Sequence, residues 1–213
     1  RIRWNLFPEI QIHSGSLDFG EKTDSQEALG KTIPDLIRVM DLQQEQVARN
    51  LGEGHRVIHG VAGSGKTLIL GYRAEQLAKV LEKPILVLCY NVALSSKLAS
   101  VIKEKGLAQK VHVKTFHSWC FDQLRLYHVD KPKEGDGFFD RLAECVIEGV
   151  DKGQIPRAQY GAVLIDEGHD FRPEWLKLVA QMVDPSTNSV LVLYDDAQSI
   201  YTEKAKRKFS FAS

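Results

Sequence analysis

Short apolar runs and helical patterns alternate along most of this chain. Apolar runs at 57–61, 84–89, 111–113, 162–165 and 190–194 are separated by helical patterns near 67–81, 92–104, 117–127 and 138–149. A further helical pattern lies near 173–183. The first helix is read from the spacing of Ile69, Tyr72, Leu77 and Val80. The apolar runs lack period-two alternation, which is the pattern of parallel strands buried on both faces. Strand–helix alternation of this kind predicts an α/β fold: a mainly parallel sheet, right-handed crossovers and helices on both faces. Ligands of such sheets sit at the carboxyl ends of the strands. Ahead of the alternation, residues 1–33 mix polarities, and LDFGEKTDSQEALGKT reads as loop. Pro34 opens a short predicted helix through Met40. Asp41 with Gln44 makes a capping box for a second, LQQEQVARNL, which Gly52 and Gly54 end. HVDKPKEGDG (128–137) is a polar loop.

The 213 residues suffice for one full core with an appended segment. Lys plus Arg and Asp plus Glu balance at 28 each, so any polyanion site must be local. KAKRK (204–208) is one such basic run. Cys89, Cys120 and Cys145 are odd in number and widely spaced, which argues against a disulfide frame or a zinc site and for a reducing, cytoplasmic setting. The apolar runs are far short of the ~20 residues of a membrane helix, so no membrane partner is expected. No signal peptide is visible. The chain opens on Arg1 rather than Met and is read as a piece of a longer protein. His55 and His59 would sit about 13 Å apart on a strand, too far to share one ion.

The picture changes most at GVAGSGKT, residues 60–67. Gly60, Gly65, Lys66 and Thr67 occupy the fixed positions of G-x-x-x-x-G-K-[ST], between a strand and a helix. A glycine-rich loop here turns backbone N–H groups into an anion-binding concavity that side chains would block. The loop residues Val61, Ala62, Gly63 and Ser64 complete it. Lys66 reaches the β- and γ-phosphates, Thr67 ligates Mg²⁺, and the helix presents its positive end. The expected ligands are therefore a nucleotide's phosphate chain and Mg²⁺.

AVLIDEGHDF (162–171) ends an apolar strand in two carboxylates. In a phosphate-loop enzyme the first, Asp166, holds Mg²⁺ through water, and Glu167 is placed to orient and deprotonate the attacking water. VLVLYDDAQSIY (190–201) repeats the pattern with Asp195, Asp196 and Gln198, whose amide can report a γ-phosphate.

GVAGSGKT, LIDEGHDF and DDAQSIY, in that order, resemble motifs I, II and III of superfamily 1 helicases of the UvrD/Rep kind. LQQEQ resembles their adenine-reading Q motif, ILVLCYNVALSSKL motif Ia, and VKTFHSWC motif Ib. The resemblance runs from residue 42 to about 211 and implies a first RecA-like P-loop NTPase domain over 41–213, preceded by a segment at 1–40. It implies adenine recognition by Gln46, phosphate binding by Gly60 to Thr67, and a family arginine at Arg73. It further implies Mg²⁺ at Thr67 and Asp166, catalysis by Lys66 and Glu167, and coupling of the γ-phosphate to movement by Gln198. Tyr90, Asn91, Thr115, Phe116 and His117 lie where the family contacts single-stranded DNA, RNA not being excluded. Phe116 reads equally as a core residue of the following helix. A second RecA-like domain of the full-length chain is the implied partner.

Several positions depart from the family. His169 stands where motif II usually has glutamine, and Tyr194 where motif III opens with glycine. Thr202, Glu203 and Lys204 follow QSIY in place of the usual tryptophan, and Cys89 replaces a common aromatic. The stretch from Thr115 to Asp166 is too short for the large accessory insertion. Motifs IV, V and VI do not follow within the chain. The leading expectation is the ATP-hydrolysing half of a DNA helicase or translocase. Against it stand an ATP-dependent switch or binding module in a nuclease-linked or defence protein, and a small-molecule kinase. The kinase is disfavoured because Glu167 suits activation of water.

Overall fold

The computed structural model describes residues 9–12, 48, 51, 54–60 and 66–195. Strand β1 (Glu9–Ile12) is followed by β2 (His55–Gly60), α1 (Lys66–Val80), β3 (Ile85–Cys89), α2 (Val92–Glu104) and β4 (Val111–Thr115). Then come α3 (Phe116–Leu126), α4 (Phe138–Asp151), β5 (Ala162–Ile165), a 3₁₀ turn at Gly168–Asp170, α5 (Pro173–Gln181) and β6 (Ser189–Asp195). The six strands form one sheet in the order β1-β2-β6-β5-β3-β4. Every neighbouring pair is parallel.

Strand β3 is ILVLC and β5 is AVLI, buried at every position. Such strands must be covered on both faces, and the helices do this by splitting the apolar side chains into two cores. Ile85, Val87 and Cys89 join Ile58, Ala162, Leu164, Leu191 and Leu193 with Ile69, Leu70 and Leu77 of α1 and Leu98 and Ile102 of α2. Leu86 and Leu88 face the other way, toward Val163, Ile165, Val190 and Val192, under α3, α4 and α5. Alternate residues of one continuous apolar run thus serve opposite layers. In the second core Trp119 is almost wholly buried, and its Nε1 donates to Tyr160 Oη at 3.2 Å.

The connections determine what meets at the carboxyl edge. From β2 the chain passes through α1 to β3, leaving a gap two strands wide. It steps out to β4, then returns through α3 and α4 to place β5 beside β3, and α5 places β6 between β5 and β2. The acidic strand ends are therefore delivered last, between β3 and β2, with Asp195 opposite Gly60. Asp166 N donates to Leu88 O at 2.9 Å, which prolongs the β3–β5 ladder one residue past the strand.

The strand and helix sites match the apolar pattern, with three extensions. Strand β2 begins at His55, because His55 and Arg56 pair with Val190 and Leu191. Strand β4 continues through Lys114 and Thr115, opposite Leu88 and Cys89. Backbone pairing continues there although the side chains are polar. Strand β1, EIQI, falls in the segment of mixed polarity for which no element is predicted, and it pairs with β2 from Glu9 opposite Val57 to Ile12 opposite Gly60. Part of the 1–40 segment therefore belongs to the same sheet as the rest. Of the predicted helix LQQEQVARNL, Ala48 is helical and Leu51 is a turn residue, both buried; the helix predicted from Pro34 to Met40 lies outside the described residues.

Trp119→Ala should lower unfolding free energy by about 3–5 kcal/mol, the range for emptying an aromatic site in a packed core. Urea denaturation followed by far-ultraviolet circular dichroism measures it, with an unchanged midpoint counting against this core assignment.

Candidate functional site

Lys66 is the first residue of α1 and is buried, six positions after Gly60 ends β2. One residue on, Thr67 Oγ1 donates to Asp166 Oδ2 at 3.0 Å. The other carboxylate oxygen, Oδ1, accepts the Glu167 amide at 3.0 Å. Asp166 is 1% exposed. Burial pushes its carboxyl above the usual range, opposed by the Thr67 hydroxyl, the Glu167 amide and the charge of Lys66. A desolvated carboxylate beside a hydroxyl is a hard-oxygen donor set of the kind Mg²⁺ prefers, so the pair fits that ion. Cys89, at the end of β3, has its thiol pushed up to about 12, by burial first and then by Asp166 and Glu167. It stays a neutral thiol and adds no charge to the site.

After Asp166 the backbone reverses. Glu167 sits at φ 55°, in the left-handed region that side chains other than glycine seldom occupy. Such residues cost of order 1–3 kcal/mol and persist where the surroundings over-determine them. The surroundings here are a tight 3₁₀ turn in which Asp170 N donates to Glu167 O at 3.0 Å and Phe171 N to Gly168 O at 3.2 Å. Gly168 presses this turn onto β6. A Cβ there would lie 2.3 Å from Val192 Cγ1, 3.1 Å from Tyr194 Cε2 and 3.2 Å from Leu193 O. Below the turn, His169 Nδ1 is 3.5 Å from Glu167 Oε2 and its Nε2 is 3.8 Å from Asp170 Oδ1. Tyr194 in turn stacks on His59, ring centroids 5.2 Å apart and planes within 16°. Three places that a phosphate site must hold in register, the ends of β2, β5 and β6, are thereby joined through Gly168, Tyr194 and His59.

Sequence reasoning singled out Tyr194 and His169 as departures, but it missed their contacts. It treated His59 as an ordinary strand residue and left Gly168 without a role. The signal available was the pairing of a small residue at 168 with a large one at 194.

Arg73, on α1, extends Nη1 to 3.5 Å from Ala48 O, and Arg56 Nε donates to Leu51 O at 2.8 Å. These two arginines hold the 48–51 segment against α1 and β2. Gln46, Val61, Ala62, Gly63, Ser64, Gly65 and Gln198 lie outside the described residues, as does the 204–208 basic run.

The residues expected to meet nucleic acid gather where α2, α3 and α5 begin. Asn91 caps α2, its side-chain oxygen accepting from Ala93 N at 2.8 Å and Leu94 N at 3.3 Å. Thr115 caps α3, accepting from Ser118 N at 3.3 Å. Tyr90 is 45% exposed. His117 lies edge-on to it with centroids 6.0 Å apart. Burial holds the His117 imidazole below its ordinary pKa, with Asp140 opposing and Arg172 assisting, so the ring is neutral near pH 7. Phe116 is different. It is 0% exposed and stacks on Trp175 at 4.6 Å, with the edge of Phe171 at 5.3 Å. Of its two sequence readings the core one holds, and its ring is not available to a base. Phe139, absent from the expectations, lies beside His117 at 4.8 Å.

Among the described residues no helix is long and apolar enough to cross a membrane. A family model described as an AAA domain matches residues 43–204. Comparison with curated proteins finds no match.

Gly168→Ala should destabilise the protein by about 1–3 kcal/mol, the usual cost of overpacking. Because the nearest obstacle is one methyl of Val192, adding Val192→Ala should recover part of that loss. Thermal unfolding of the parent, both single variants and the double variant measures the coupling, and strict additivity would show that the 168–192 contact is not the cause.

Proposed function

Because the chain belongs to the AAA domain family, a family of P-loop NTPases, we propose that it is the ATP-binding half of a UvrD/Rep-like superfamily 1 DNA helicase or translocase. The observation that carries this is the hydrogen bond from Thr67 to Asp166, 99 positions apart in sequence. It brings the hydroxyl after the phosphate-loop lysine against the carboxylate at the end of an apolar strand, and structural packing alone gives no reason to bury that carboxylate.

On this reading the Gly60–Thr67 motif would supply backbone N–H groups to the triphosphate, and Lys66 would add a positive charge at the β- and γ-phosphates. Thr67 and Asp166 would hold Mg²⁺, which would supply charge neutralisation to the phosphates. Glu167, turned by its left-handed backbone away from the strand axis, orients the attacking water and takes its proton. Gln46 reads the adenine edge, Arg73 keeps its family position on α1, and Gln198 reports the γ-phosphate. Tyr90, Asn91, Thr115 and His117 face single-stranded DNA. A second RecA-like domain of the longer protein closes over the nucleotide and brings arginines of the finger type, worth ~10³–10⁵ in rate in related enzymes. The three free cysteines suit a reducing cytoplasm.

Turnover of ATP by the full-length protein, with and without single-stranded DNA, tests the proposal. Stimulation by DNA is the expected result, whereas turnover indifferent to DNA would point to the switch instead. Lys66→Ala should abolish tight ATP·Mg²⁺ binding, measured by calorimetry, since it removes the charge facing the triphosphate. Glu167→Gln keeps the shape of the side chain but removes the base. It should leave nucleotide affinity near the parental value while turnover falls about 10²–10⁴-fold. Parental turnover in that variant would remove Glu167 from the mechanism.

A further inference from the structure

Phe139 belongs to none of the motif-like stretches, yet it is a large apolar ring held out in solvent at 59% exposure. It does not stand alone. His117 lies 4.8 Å from it, and Tyr90 lies 6.0 Å from His117 on the other side. Beneath them, Trp175 sits 5.3 Å from His117, and Arg172 covers the Trp175 ring at 5.3 Å. The floor is rigid, since Phe116, Phe171 and Trp175 pack into the core. Three rings therefore form a ridge, exposed at both ends, on a fixed base.

The origin of the ridge gives its electrostatics. Tyr90 directly precedes the cap of α2, His117 is the second residue of α3 and Phe139 the second of α4. Trp175 is the third residue of α5. Four helices thus point their positive ends at one surface. Two of the four lack a side-chain cap: α4 starts from Gly137, at φ 70°, and α5 from Arg172. Their first turns carry charge of their own: α4 holds Asp140, which pairs with Arg172 at 2.9 Å, and α5 opens on Pro173, which has no N–H, and holds Glu174. His117 Nε2 is buried among the rings without a hydrogen-bond partner. The loop before α4 is held in place by Arg141, which donates to the carbonyls of Asp136 and Lys133. That fixes where Phe139 stands.

Exposed flat rings on a rigid floor match a ligand that presents flat apolar faces, as unpaired bases do. The ridge is continuous with Tyr90 and His117, which the proposed function already sets against a single strand. We propose that Phe139 is a base-stacking residue, so that the single-strand site extends from Tyr90 and His117 across the start of α4. This rests on the proposed function and adds a residue outside all of the family-like motifs.

Fluorescence anisotropy with labelled oligothymidylate, on the full-length protein, tests it with four chains: parent, Phe139→Ala, Phe139→Trp and Leu126→Ala. Removing one stacking ring should weaken binding about tenfold, and tryptophan should restore it. Leu126 is an equally exposed apolar residue at the far end of α3. Its truncation should leave affinity at the parental value, separating stacking from general surface hydrophobicity. A strand carrying 2-aminopurine should be quenched by the parent and by Phe139→Trp but not by Phe139→Ala. Parental affinity and quenching in Phe139→Ala would overturn the stacking role while leaving the single-strand reading intact. Equal losses in Leu126→Ala and Phe139→Ala would also overturn it. A parent that binds no single strand would overturn both.

Discussion

Asp166 is a carboxylate at the end of a strand whose four residues are all buried, in a place where water cannot solvate it. Burying an ionised carboxylate costs several kcal/mol unless protein groups or a cation replace its hydration. Here a hydroxyl, a backbone amide and a nearby ammonium do part of that work. Each comes from an element with no other reason to be at that point. Lys66 and Thr67 are there because a helix starts where β2 stops. The Glu167 amide points back because its residue accepts a left-handed conformation. The sheet order makes all three coincide, and a fold that failed to return β5 beside β3 would leave the acid stranded.

The pattern of apolar runs was enough to read the architecture, because strands covered on both faces must be continuously apolar and the helices between them must be amphipathic. The elements that escaped were those whose pairing is backbone-driven. Glu9–Ile12 carries two polar residues in four, too short and mixed a pattern to distinguish from loop. Lys114 and Thr115 extend β4 without an apolar signal. At the candidate site, the meeting of Lys66, Thr67, Asp166 and Glu167 was legible because the two motifs prescribe those types at those spacings. Their neighbours were not. The stack of Tyr194 on His59 and the fit of Gly168 under Val192 are tertiary coincidences between residues far apart in the chain. Phe116 could be settled only by its surroundings, since a phenylalanine opening a helix is equally at home in a core or on a ligand.

Tyr194 and Gly168 also show how two unusual residues can be one adaptation. Val192 first and the Tyr194 ring second leave no room for a side chain at 168, and the turn after Asp166 has none there. The ring is then held flat against His59. Neither residue makes sense by itself; together they keep the turn bearing Glu167 closely seated on β6.

The position of β6 carries one more consequence. It lies between β2, which leads to the phosphate turn, and β5, which ends at Asp166. Neighbouring strands stand about 4.8 Å apart, so β2 and β5 are held roughly 10 Å from each other. Hydrogen-bonded ladders do not stretch, and this interval cannot be tuned to the length of a nucleotide's phosphate chain. The jaw of the site therefore has a fixed gauge. Any clamping on a ligand at these strand ends must come from side chains and loops beyond the ladders.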